Sequence, residues 1–169
     1  MAHDSTLITK EAILKDEATT LAFGGRFAQN LLPGLVIYLH GNLGAGKTTF
    51  VRGVLKGLGH IGKVKSPTYT LVETYELEPY IIKFNVKSRL YLYHLDLYRF
   101  MSEEEWEAAG FREYFNPQSI CMIEWPEKAA QVLPQPDIDV HFSLYNSGRI
   151  IQFSARSVLG KQCLENCKF

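Results

Sequence analysis

The spacing of apolar positions changes several times along this chain, and each change marks an element. Leu35, Val36, Ile37, Tyr38 and Leu39 form an unbroken apolar run, the pattern of a strand buried on both faces. Phe50, Val51, Val54, Leu55 and Leu58 then recur at intervals of three and four, which predicts a helix over 48–58 that Gly59 stops. Upstream, Asp16 caps a helix running to about Leu32, with Ala18, Leu21, Ala22, Ala28 and Leu32 on one face and Pro33-Gly34 closing it. Thr6 to Thr9 reads as a short edge strand. Downstream, Ser66-Pro67-Thr68 is loop-like and Tyr69 to Tyr75 alternates as a strand. Residues 77–90 read as a strand, an Asn/Lys/Ser turn and the start of another strand, which Tyr91 to Leu95 continues into Asp96. Ser102 and Glu105 form a capping box for a short helix carrying Trp106 and Ala109. The run Ile120 to Ile123 ends in Glu124, and Pro126 opens a small helix through Ala130. Two last strands, 137–145 and 149–155, are split by Asn146-Ser147-Gly148 as in a hairpin. A glycine loop and helix among so many strands predict an α/β fold, a single domain over 1–169 with a mixed sheet flanked by helices.

Between the first apolar strand and its helix lies GNLGAGKTT. Gly41, four residues, Gly46, Lys47 and Thr48 fit G-x-x-x-x-G-K-[ST], the phosphate-binding loop, in the strand-before, helix-after context it requires. Wrapping a polyphosphate needs several inward N–H groups, and Gly41, Gly44 and Gly46 allow the backbone to supply them, with Leu43, Ala45 and Thr49 completing the loop. Lys47 is placed to meet the β- and γ-phosphates, the Thr48 hydroxyl to hold Mg2+, and the helix N-terminus to add positive potential. A nucleoside triphosphate with Mg2+ is the expected ligand.

Composition narrows the setting. Lys plus Arg and Asp plus Glu are 18 each among 169 residues, a neutral balance unlike that of domains that grip nucleic acid on their own; Lys56, Lys63 and Lys65 are the nearest approach to a basic patch. The three cysteines read as reduced thiols rather than a metal site. Neither a signal peptide nor a transmembrane stretch is legible, so a cytoplasmic protein is expected.

Hydrolysis requires more than a phosphate loop. Two apolar runs end in an acid, LYLYHLD at Asp96 and ICMIE at Glu124, and either can reach Mg2+; spacing alone leaves open which one does. His94 shares a strand face with Asp96 and can tune it or serve structure. Arg99 can pair with phosphate or with Asp96. Ser66, Thr68 and Thr70 lie where a switch loop offers hydroxyls, though ordinary strand threonines fit as well. Trp125 reads as core or as a wall beside the nucleotide.

GNLGAGKTTF, KSPTYTLVETY, YHLDLYRF, EAAGFREYF and ICMIEWPEKA together resemble, in order and spacing, the bacterial TsaE family, from about Asp16 to Gly160. The resemblance implies a P-loop NTPase-like fold. It also implies a Mg2+-dependent ATPase needed for threonylcarbamoylation of adenosine 37 in tRNA, acting with a TsaB–TsaD complex that holds most of the tRNA. By the same resemblance Thr48 and Glu124 hold Mg2+, Asp96 supports hydrolysis, Ser66 to Thr70 form the switch segment and Asp16 lies near the nucleotide. Two positions depart from the family pattern: Asn42 stands where Asp is usual, and 77–90 is longer than the usual hairpin, an extended hairpin-like insertion. Two other functions compete. A small-molecule kinase needs arginines grouped over the phosphates, whereas the seven here are scattered. An ATP-gated interaction module with little hydrolysis of its own fits the absence of an assignable arginine finger.

Overall fold

In the computed structural model, which describes residues 8–77 and 89–169, seven strands make one sheet. They are β1 (Thr9–Leu14), β2 (Val36–His40), β3 (Val72–Leu77), β4 (Leu90–Asp96), β5 (Ser119–Glu124), β6 (Ile138–Tyr145) and β7 (Gly148–Ala155). The order across the sheet is β1-β7-β6-β2-β5-β4-β3. The central four are parallel, with β2 between β5 and β6 and β4 beyond β5, while β7 and β3 run against them at the two sides and β1 pairs antiparallel with β7. Parallel strands buried on both faces carry near-continuous apolar runs, and β5, SICMIE, is buried at all six positions. The sheet is mixed and flanked by helices, as the sequence pattern predicts.

The helices are α1 (Glu17–Ala28), α2 (Lys47–Gly57), α3 (Glu103–Ala108) and α4 (Val158–Glu165), with 3-10 turns at Phe111–Tyr114 and Pro126–Ala129. The front face carries α1, α2 and α4, packed on Ile37, Leu39, Leu92, Met122, Val140 and Phe153. Phe23, Phe27, Phe50, Phe142 and Phe153 form its aromatic centre, with Phe27 and Phe153 centroids 5.1 Å apart. On the back, α3 and the 3-10 turns close a second core around Trp106, Phe111, Val36, Leu95 and Ile123. Among the described residues, no helix lies on the back of the β1-β7-β6 side.

The α1–α2 seam depends on glycine. A Cβ at Gly24 would stand 2.6 Å from the Phe50 carbonyl oxygen, and one at Gly53 only 2.3 Å from that of Leu21. Backbone meets backbone there, which no larger residue permits.

Several expectations shift. Among the described residues the first strand is Thr9–Leu14, whose partners on β7 run from Ser154 to Arg149; of the expected Thr6 to Thr9, Thr6 and Leu7 lie outside the described residues. Helix α1 ends at Ala28, four residues short of Leu32, and its buried face is Thr20, Phe23, Gly24, Phe27 and Ala28. The apolar pattern pointed to Leu21 and Ala22 because glycines carry no hydrophobic signal. Strand β3 begins at Val72, held off by a left-handed Leu71 (φ 67°) whose N–H donates to the Pro67 carbonyl at 2.8 Å. Helix α4, capped by Ser157, had no sequence expectation. Of the predicted insertion, 78–88 lie outside the described residues; its ends, Leu77 and Leu90, pair across β3 and β4.

Candidate functional site

The C-terminal ends of β2, β4 and β5 meet at one edge of the sheet, the place where parallel α/β sheets put their ligand crevice. There a cavity of about 380 Å³ opens between the glycine loop, the start of α1, the tips of β4 and β5 and the β6–β7 turn. Chain direction alone brings the separate motifs together.

The loop leaves β2 at Gly41 and enters α2 at Lys47. Gly41 has φ +151°, and a Cβ there would press on the Phe142 carbonyl oxygen at 2.9 Å. Gly46, the N-cap of α2, is left-handed (φ 104°) and offers no side chain to the first turn. The N–H groups of that turn therefore face the cavity without a cap, an anion-binding arrangement. Leu43, Gly44, Ala45, Gly46, Lys47, Thr48 and Thr49 line the cavity, while Gly41 sits behind the loop. Lys47 is 5% exposed; its ammonium donates to the Gly41 carbonyl and lies 3.9 Å from the centroid of the Trp125 ring. Burial lowers its pKa, against the pull of Glu124, Asp96 and Glu127.

Register places the two acids side by side: Asp96 of β4 pairs with Glu124 of β5. Both are buried. The Thr48 hydroxyl donates to Glu124 Oε2 at 3.1 Å, and His94 Nε2 lies 2.6 Å from the same oxygen. His94 Nδ1 has no partner. Asp96 accepts from the Tyr98 N–H at 3.0 Å and the Thr68 hydroxyl at 3.3 Å. Burial raises the Asp96 pKa and Glu124 raises it further, against those two hydrogen bonds and His94. A hydroxyl and two carboxylates at one cavity wall make an oxygen donor set, the kind that suits Mg2+. Asp16 caps α1, accepting from the Thr19 N–H at 2.8 Å, and reaches the cavity from the opposite side.

The remaining expectations divide. Thr68 faces the cavity; Ser66 bonds Thr68 at 2.8 Å, and Thr70 donates to Glu73 at 3.1 Å, so neither lines it. His94 pairs with Glu124 rather than with Asp96. Arg99 stacks over Tyr69, 4.7 Å from its ring centroid, rather than pairing with Asp96. Trp125, left-handed at φ 58°, is a cavity wall. Sequence reasoning missed Arg149, whose guanidinium donates to the Gly44, Ala45 and Gly148 carbonyls at 2.7, 2.8 and 2.9 Å. No motif surrounds it; its place follows from the β6–β7 hairpin, whose turn borders the loop.

Known proteins agree with this architecture. The sequence profile for "Threonylcarbamoyl adenosine biosynthesis protein TsaE" matches residues 14–151. A Haemophilus influenzae protein described as "tRNA threonylcarbamoyladenosine biosynthesis protein TsaE" is 46% identical over 156 residues, covering 89% of this chain and 92% of that one. A Bacillus subtilis protein of the same description is 41% identical over 108 residues, 64% of this chain and 61% of its own. Among solved structures, that of Bacillus subtilis YdiB superposes with a TM-score of 0.72 at 28% identity, covering 96% of this chain and 95% of that one. A profile match over most of the length and a near-full-length relative at this identity settle the kinship: the chain belongs to the TsaE family of tRNA threonylcarbamoyladenosine biosynthesis.

Proposed function

We propose that the protein is a cytoplasmic, Mg2+-dependent ATPase whose turnover supports threonylcarbamoylation of adenosine 37 in tRNA, in company with a TsaB–TsaD complex. The observation that carries this reading is the pairing of Asp96 with Glu124 against Thr48, at the mouth of an uncapped helix preceded by a glycine loop.

Each group has a task in that reading. The loop N–H groups and the first turn of α2 bind the phosphates, and Lys47 leaves the Gly41 carbonyl to take a phosphate oxygen. Thr48 and Glu124 would hold Mg2+, whose charge offsets the negative charge that builds up in phosphoryl transfer. Asp96, held partly toward its neutral form by burial, is placed to position water or to accept its proton. Thr68 links the 66–71 segment to that carboxylate, so a change at Asp96 is felt in the loop. Asp16 and Trp125 confine the nucleotide from two sides. The tRNA is held mainly by the partner complex, in keeping with the neutral charge of this chain.

One observation favours an enzyme that is slow alone. Arg149 is the one arginine lining the cavity among the described residues, and its guanidinium is committed to three carbonyls. It braces the loop and is not free to act as an arginine finger. Mg-ATP turnover should therefore be measured for the protein alone and then with TsaB–TsaD and tRNA. A rise on adding the complex supports the modification-cycle ATPase. Tight ATP binding without turnover in either mixture would leave a nucleotide-gated module, and a phosphorylated small molecule as product would indicate a kinase.

A further inference from the structure

A second group of metal-ligating side chains lies on the other face of the sheet. Strands β2 and β6 pair in parallel with His40 opposite His141, and Asp139 stands two residues before His141 on β6. Alternation sends Ile37, Leu39, Val140 and Phe142 into the front core, so His40, Asp139 and His141 project together from the back. His40 Nε2 lies 2.6 Å from Asp139 Oδ1, the two imidazoles stack at 4.4 Å, and one donor atom from each of the three residues falls within 4.8 Å of the others. Among the described residues no helix covers them, and the proposed ATP chemistry does not use them. We propose that His40, Asp139 and His141 form a binding site for a borderline divalent cation of the Zn2+, Co2+ and Ni2+ class, separate from the nucleotide cavity.

Donor chemistry sets the class. Two imidazoles and one carboxylate suit Zn2+, Co2+ or Ni2+, whereas Mg2+ takes oxygens, and the function proposed above gives it Thr48 and Glu124. Donors around a tetrahedral ion at about 2.0–2.1 Å stand roughly 3.4 Å apart. Rotation of the exposed His141 ring is the movement the site needs to reach that spacing from the 4.8 Å observed. Three protein ligands leave room for water, and the open face gives an entry path. Arg156 Nε holds Asp139 Oδ2 at 2.8 Å, which fixes the carboxylate plane and leaves Oδ1 toward the histidines, the work of an outer-shell partner.

The test uses tag-free, chelator-treated full-length protein titrated with Co2+ by visible absorption, then with Zn2+ in competition by calorimetry. One saturable inner-sphere site is expected. His141→Ala should weaken it roughly tenfold or more, the scale by which even outer-shell changes act on metal sites, and His40→Ala likewise. His141→Cys, which keeps a ligand at an exposed position, should retain Co2+ and add a thiolate charge-transfer band. Glu124→Gln, which removes a carboxylate from the nucleotide cavity, should leave the affinity unchanged. The proposal is overturned by the absence of saturable binding, by affinity that His141→Ala does not alter, or by affinity that Glu124→Gln abolishes, which would assign the cation to the nucleotide cavity.

Discussion

Two histidine–carboxylate pairs, each 2.6 Å apart, stand on opposite faces of one sheet and differ in their access to water. His94 and Glu124 have side chains 0% and 4% exposed; His40 and Asp139 have 27% and 11%. The first pair lies beside the Thr48 hydroxyl, with the far imidazole nitrogen unpartnered, so neither member has water to fall back on. The second shares its carboxylate with Arg156 and faces solvent. Identical contacts thus have different worth. A buried pair binds its members to each other, whereas a pair open at its imidazole leaves His40 free to exchange partners.

The sharpest way to break the comparison is to delete one imidazole from each pair. His94→Ala strands a buried carboxylate, and loss of a partner in a buried pair costs about 3–5 kcal/mol; urea denaturation should show a loss of that order, along with an altered Mg2+ requirement for turnover. Next in size is Asp96→Asn, which should retain ATP in a binding titration while slowing hydrolysis by roughly 10²-fold, the lower end for a general acid–base group. The same variant should be more stable than the parent at neutral pH. Burial raises the folded pKa of Asp96 above 3.8, so the native state holds the extra proton and stability falls as pH rises through that interval. Below pH 3.8 the difference should vanish in thermal melts. His40→Ala should cost less than about 1 kcal/mol in the same urea experiment, because Asp139 keeps its bond from Arg156 and solvent reaches the vacated side. The smallest effect belongs to His141. Its folded pKa lies below 6.5, so the unfolded chain binds the extra proton and stability is lost as pH falls beneath 6.5. Melts of metal-free His141→Gln should lack that part of the pH slope.

Much of the first pair's surroundings was legible from the sequence. Lys47 and Thr48 follow from a motif whose strand and helix can be read on either side, and Asp96 and Glu124 from apolar runs that end in an acid. Their adjacency was not legible, because it is a property of register between strands 28 residues apart in sequence. For the same reason His94 was read with Asp96, its neighbour along the strand, when its partner lies across the β4–β5 pair. The second pair left no trace. His40 and Asp139 are 99 residues apart, and only the parallel β2–β6 pairing brings them together. The short strand β1 and helix α4 were missed or misplaced because their stability comes from β7 and the front core rather than from local pattern.

The glycine seam between α1 and α2 has a consequence for the nucleotide loop. Asp16 stands at the head of α1 and the loop at the head of α2, and these two helices touch backbone to backbone at Gly24 and Gly53. With backbone against backbone at those two positions, the pair acts as a caliper whose jaws are Asp16 and the glycine loop. A single methyl group at either glycine, remote from the cavity, would open those jaws, so the width of the cavity is gauged by a seam that does not line it.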